Sequence, residues 1–127
     1  MDSKESFIVL VHYRGSIKRK TRSGVKFTDK DHLSIFIRPT TRFDDFLNAI
    51  LHKFELQGVK QIQKLFYRIP ISMLQDDMKY NCFIIESDED LQIPFHCYRQ
   101  FFEIRTPELL AKLVDVAPNS GDSNQNT

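Results

Sequence analysis

The sequence has no tryptophan, two cysteines, four glycines and five prolines in 127 residues, and each shortage excludes something. Cys82 and Cys97 are too few for a disulfide framework. The stretch from Met1 to Ser6 is polar and mixed in charge, unlike a secretory leader, so the expectation is a reduced, intracellular protein. The glycines are scattered, which excludes a glycine-rich phosphate loop. No Cys-x-x-Cys or His-x-x-x-His spacing joins His12, Cys82, His96 and Cys97, so no metal is expected, and no other cofactor. The longest apolar run, Phe7 to Val11, is far short of the roughly 20 residues that cross a bilayer, and no membrane partner is expected. Charge of one sign is also lacking: 18 Lys and Arg against 17 Asp and Glu give a net charge of +1, too little for a global attraction to nucleic acid or a membrane. Any electrostatic function must be local.

What the chain does have is phenylalanine. Eleven Phe residues in a sequence that is 41% hydrophobic supply one real core for one domain. Phe7 to Arg14 alternates with a strand period, Gly15-Ser16 turns the chain, and the basic stretch Ile17 to Thr21 leads through Ser23-Gly24 to renewed alternation at Val25 and Phe27. Leu33 to Arg38 reads as a further strand, stopped by Pro39. Phe43, Phe46, Leu47, Ile50, Leu51 and Phe54 then form one apolar stripe at helical spacing. Thr40 or Thr41 is the expected cap of that helix and Gly58 its left-handed exit.

Val59 to Arg68, ending at Pro70, and Tyr80 to Glu86 read as a hairpin joined through Gln75-Asp76-Asp77. Ser87 caps a short helix that Pro94 limits to one or two turns. Phe101 to Arg105 reads as a last short strand, and Thr106-Pro107-Glu108 as the opening of a small C-terminal helix carrying Leu109, Leu110, Leu113 and Val114. The order predicts an α+β, ubiquitin-like β-grasp: one mixed sheet on one main amphipathic helix, with a short second helix and a C-terminal helix. Residues 1–6 are expected to be a flexible N-terminus, 7–115 the domain, and 116–127 a disordered tail or linker.

Several strings carry a family likeness. Lys64-Leu65-Phe66-Tyr67-Arg68-Ile69-Pro70, Asp76-Asp77, Tyr80 to Ile85 and Ser87-Asp88-Glu89-Asp90-Leu91 resemble the acidic motif of Phox-and-Bem-type interaction domains, which are ubiquitin-like. With Phe7 to His12 and Glu108-Leu109-Leu110 they look, more narrowly, like the N-terminal domain of plant Mutator-like (MuDR) transposases. The turn before the second hairpin strand departs from the usual acidic-Gly-Asp pattern, reading Gln75-Asp76-Asp77-Met78-Lys79. The resemblance implies a non-catalytic fragment or degenerate copy of a longer transposase-derived chain: the zinc-binding DNA-contacting region and the DDE-type nuclease domain that follow in the family are not in this sequence. It implies nuclear residence and a protein partner, either a second copy or a related chain, with Asp88, Glu89 and Asp90 meeting a basic residue such as Arg14 or Lys18.

Charge segregation supports the same reading independently. Residues 1–30 hold eight Lys or Arg against three acids, and residues 76–103 hold seven acids against two Lys or Arg. Asp76, Asp77, Asp88, Glu89 and Asp90 form a candidate acidic pole, and Arg14, Lys18, Arg19, Lys20 and Arg22 a candidate basic one, suited to head-to-tail stacking. The same residues also read as ordinary solvated faces, since a surface ion pair contributes only about 0 to 1 kcal/mol. The acids have no nucleophile or general base gathered around them, so no catalysis is expected. The basic hairpin 14–26 supports a second reading as a DNA-contacting element or import signal, although no aromatics interleave its cations. A transposon remnant without function is the third.

Overall fold

The computed structural model describes residues 6–28, 32–74, 77–100 and 106–116. Its elements are β1 (Phe7–His12), β2 (Ser16–Thr21), β3 (Gly24–Thr28), β4 (His32–Ile37), α1 (Phe43–Lys53), β5 (Lys60–Leu74), β6 (Asp77–Ile85), α2 (Asp88–Leu91), α3 (Ile93–Gln100) and β7 (Glu108–Asp115). The chain is α+β, with one mixed sheet of seven strands in the order β2-β3-β6-β5-β7-β1-β4. Strand β1 is antiparallel to β4 and parallel to β7, while β5 is antiparallel to both β7 and β6.

Strand alternation separates two apolar clusters. Leu65, Tyr67, Leu109 and Ala111 pack with Phe46 and Ile50 of α1, Leu91 of α2 and Phe95 of α3. Their neighbours Phe66 and Leu110 pack with Val25 and Phe27 of the β2–β3 hairpin. Because successive strand side chains point to opposite faces, the helices cover one side of the sheet and the hairpin the other. The hairpin reaches the sheet edge only at its tip, where Gly24 pairs with Tyr80 and the Tyr80 N–H donates to Ser23 O at 2.8 Å. Gly24 has φ +87°, and a Cβ there would lie 2.2 Å from Tyr80 O, so no side chain fits.

The helix expected from the Phe43 to Phe54 stripe is α1, with Phe46 and Ile50 fully buried; each side chain of that size contributes about 1.5–3 kcal/mol by leaving water. Its ends differ from expectation. Arg42, not Thr40 or Thr41, is the N-cap and supplies no side-chain bond, because the Thr41 hydroxyl accepts instead from the Arg38 N–H at 3.0 Å. At the other end Glu55, not Gly58, takes the left-handed position, with φ 60°. The Leu56 N–H donates to Leu51 O at 2.8 Å and the Glu55 N–H to His52 O at 3.1 Å, which closes the helix as a Schellman motif. Gly58, also at positive φ, belongs to the turn that follows.

The expected C-terminal helix is instead strand β7. It lies between β5 and β1, where both faces of a strand are covered, so its apolar residues run consecutively and mimic a helical stripe. Pro107 opens it without cost to the ladder, and its carbonyl accepts from the Leu10 N–H at 2.9 Å. Pro94 does not end the helical region, because it sits in the first turn of α3, where a missing N–H is tolerated. Strand β5 likewise runs through Pro70 to Leu74, with a register shift between Pro70 and Ser72. Pro70 lies beyond Tyr67, the last residue of β5 paired with β7, so the lost donor breaks nothing on that side. The expected strand at 101–105 lies outside the described residues, as do the expected flexible start and disordered tail apart from Ser6 and Val116.

A left-handed glutamate carries a steric cost that glycine avoids. Replacement of Glu55 by Gly is expected to stabilise the domain by about 0.5–1 kcal/mol, read as a raised urea midpoint at unchanged m-value. An unchanged or lowered midpoint would remove the strain argument.

Candidate functional site

Of the ten charged residues singled out by the sequence, the basic ones lie on the β2–β3 hairpin and the loop before it, and Asp88, Glu89 and Asp90 lie on a helix packed against the sheet. Lys18, Arg19 and Lys20 are exposed on β2, Arg14 is exposed between β1 and β2, and Arg22 is exposed in the hairpin turn. Ile17 packs inward with the hairpin cluster and Arg19 shares its side, lining the same groove and reaching Cys82, while Lys18 points outward; a register shift between Lys18 and Thr21 interrupts strict alternation at Lys20. Lys18 is paired directly across the hairpin with Lys26, also exposed. Like charges placed opposite each other oppose strand pairing.

Three of the acids lie on the helix-covered side. Asp88, Glu89 and Asp90 form the first turn of α2, whose Leu91 is buried in the core shared with α1. Two of the three carboxylates bind backbone. Asp88 Oδ1 accepts from the Phe43 N–H at 2.6 Å, and so caps the start of α1 from 45 residues away. Asp90 Oδ2 accepts from the Glu86 N–H at 2.9 Å, while its own N–H donates to Ser87 Oγ at 3.1 Å, confirming Ser87 as the cap of α2. Glu89 is exposed, and no described residue takes its carboxylate. Asp77 begins β6, and Asp76 lies outside the described residues.

Sequence reasoning missed a polar cluster beneath the hairpin. His12 is only 7% exposed, and its Nε2–H donates to Glu108 Oε1 at 3.1 Å. Arg68 Nη1 donates to Glu108 Oε2 at 3.3 Å, and its Nε donates to the Val25 carbonyl at 2.7 Å. The Arg68 guanidinium also lies 3.6 Å from the Tyr80 ring centre. Phe27 and His32 flank the His12 ring at 5.9 and 5.4 Å. The hydrogen bond from His12, assisted by the nearby Arg68 charge against the opposing cost of burial, holds the Glu108 carboxyl below the usual glutamate range. Around this His–Glu pair stand the rings of Phe27, His32 and Tyr80, the Arg68 guanidinium and the Val25 carbonyl, and the cluster joins the hairpin to β5, β7 and β1. Among the described residues no three His, Cys, Asp or Glu side chains are gathered to hold a metal ion.

A broad groove, about 740 Å3, opens beside this cluster between the Tyr13–Ile17 segment and the strands β5 and β7. Arg14, Arg19, Lys60 and Lys112 line it, with Phe66 and Leu110 between them. Lys60 Nζ donates to Asp115 Oδ1 at 2.5 Å at the exposed end. Arg19 also reaches the Cys82 thiol, whose pKa is pushed up, chiefly by burial.

Two expected outcomes follow from these contacts. Asp88→Ala should cost about 1 kcal/mol, as loss of a helix cap does, while Asp88→Asn, which keeps the acceptor, should cost only a few tenths; urea unfolding reads both. Equal losses would show that the charge of Asp88, rather than its hydrogen bond, supports the fold. Glu108 has a depressed folded pKa, so its contribution is present above the unfolded glutamate pKa and is lost as pH falls through the lower folded value. Glu108→Gln should therefore flatten the acid limb of a stability-against-pH curve, and an acid limb of unchanged slope would contradict this.

Comparison of the chain with protein-family profiles, with curated proteins and with solved structures gives no match.

Proposed function

We propose that this chain is a non-catalytic protein–protein interaction module with a β-grasp core, derived from the N-terminal region of a MuDR-type transposase and pairing head to tail through its two charged sides. The strand order supports the core. With the β2–β3 hairpin set aside, five strands remain in the order β4-β1-β7-β5-β6. The first and last of them in the chain are parallel neighbours at the centre, and α1 connects β4 to β5. That order supports a β-grasp core with a hairpin inserted between its first two strands. The transposase origin and nuclear residence rest on the sequence resemblance.

The observation that carries the interaction reading is the Lys18–Lys26 pair. A hairpin that keeps two ammonium groups directly opposite each other, with the exposed Lys20 close by in the same strand, is suited to meet an anion. The acidic turn of α2, on the other side of the sheet, supplies one in a second copy. Contact between unlike surfaces of identical chains does not close on itself, so the expected assembly is an open, salt-sensitive series. A second reading, direct contact of the outward hairpin face with DNA phosphates, draws on the same lysines.

Sedimentation velocity distinguishes these readings. Because Asp88 and Asp90 hold backbone groups, Glu89 is the informative acidic position. Association should grow with protein concentration, weaken between low and physiological salt, and fall about tenfold or more in both Glu89→Lys and the double variant Lys18→Glu, Lys20→Glu. Mixing the two variants should restore a complex, since each keeps the side the other lost. A wild-type chain that stays monomeric at every salt concentration would eliminate head-to-tail pairing. Duplex DNA binding lost only in the lysine variant would establish the second reading in its place.

A further inference from the structure

We infer that the groove between the Tyr13–Ile17 segment and strands β5 and β7 is a second, separate binding site, for an extended acidic peptide segment with apolar side chains between its carboxylates. The walls are cationic on both sides. Arg14 and Arg19 come from the hairpin side, and Lys60 and Lys112 from the sheet. No carboxylate is among the described residues that line the groove; Asp115 meets Lys60 at the exposed end, and Arg19 and Lys112 place one exposed cation on each side. Its volume of about 740 Å3 lies within the range of roughly 300–1,000 Å3 typical of binding clefts.

The floor decides the chemistry of the occupant. Phe66 and Leu110 belong to the apolar cluster beneath the hairpin, and the hairpin leaves them as part of the groove surface. Cations beside apolar surface attract an anion more strongly than the same cations in open water, because less water screens them. A single-stranded nucleic acid would need flat aromatic platforms for its bases. The Tyr13 ring is instead stacked on Phe54 at 4.0 Å, with the Arg14 guanidinium 5.2 Å from its centre. An extended peptide needs no such platform: successive side chains point to opposite sides, so apolar residues enter the floor while carboxylates reach the walls.

The site is independent of the head-to-tail contact. Arg19 and Lys112 serve the groove, while the exposed Lys18 and Lys20, neither of which lines it, serve the pairing. A short fluorescein-labelled peptide alternating Glu with Leu is the probe, read by fluorescence anisotropy against the full chain at low and physiological salt. The comparison ligands are an all-Glu peptide of equal length, single-stranded oligo-dT and a DNA duplex. Saturable binding of the Glu/Leu peptide is expected, about tenfold or more tighter than the all-Glu peptide. The expected loss is at least about tenfold in Arg19→Glu and in Lys112→Glu, with retention within about threefold in Lys18→Glu, Lys20→Glu. Lys112→Gln, a milder change at an exposed position, should show an intermediate loss, and thermal melts of all variants confirm that they fold. Absence of saturable peptide binding would overturn the inference, as would equal losses from inward and outward variants. Tighter binding of oligo-dT or duplex than of the peptide, lost in the inward variants, would assign the groove to nucleic acid. Sedimentation of the same samples reports self-association separately, so failure of either site is recognised without the other.

Discussion

Arg68 joins the hairpin to the rest of the fold. One planar guanidinium donates to the Val25 carbonyl of β3, donates to Glu108 of β7 and covers the ring of Tyr80 in β6. Glu108 in turn accepts from His12 of β1. Five strands, β5 itself included, thus meet around two side chains. Lysine could neutralise the same carboxylate, but it has no planar fork to serve a carbonyl, a carboxylate and an aromatic face together. Without this link the hairpin would be held by Val25 and Phe27 and by the one bridge at its tip, and both cationic surfaces of the molecule depend on where the hairpin lies.

The same economy of contacts constrains the acidic side. Asp88 and Asp90 resemble a recognition motif in sequence, yet Asp88 satisfies a backbone N–H that the start of α1 leaves without a helical partner, and Asp90 holds the Glu86 N–H just before the cap of α2. This does not remove their charge. A carboxylate that accepts one hydrogen bond keeps further lone pairs and its negative potential, so the turn remains anionic while being held in place. The fold therefore presents Glu89 between two carboxylates whose positions are fixed, which is a better-ordered anionic surface than three freely rotating side chains would give.

How much of this could be read from the sequence depended on the range of the signal. The helix α1 was legible because its stripe from Phe43 to Phe54 is local and regular, and the hairpin strands because period-two alternation and Ser23-Gly24 are local too. Strand β7 was not legible: Leu109, Leu110 and Ala111 are all buried, as in any strand covered on both faces, and consecutive apolar residues fit a helix equally well. Pro94 and Pro70 were overread as stops, since the effect of proline depends on whether its missing N–H had a partner to lose. The charged residues themselves were found, but not their division of labour. Asp88 acts 45 residues away on Phe43, Arg68 acts 40 residues away on Glu108, and His12 acts 96 residues away on the same carboxylate. No spacing rule reaches that far, and Glu108 in particular was assigned to the first turn of a helix that does not form.

The hairpin itself follows from alternation more than from its total charge. Along Ile17-Lys18-Arg19-Lys20, the apolar residue is inward, Lys18 opposite Lys26 is outward, and Arg19 returns to the groove side, before a register shift interrupts the alternation ahead of Thr21. A run of three consecutive cations on a helix would form one diffuse basic surface. On this strand it becomes two surfaces with different solvation. Outside, the lysines are open to water and salt, so their attraction is long in reach, weak and readily screened. Inside, Arg19 lies beside Phe66 and Leu110, where less water competes and an anion must also fit the apolar floor. The outward surface is therefore suited to reversible association, and the inward one to discrimination between ligands.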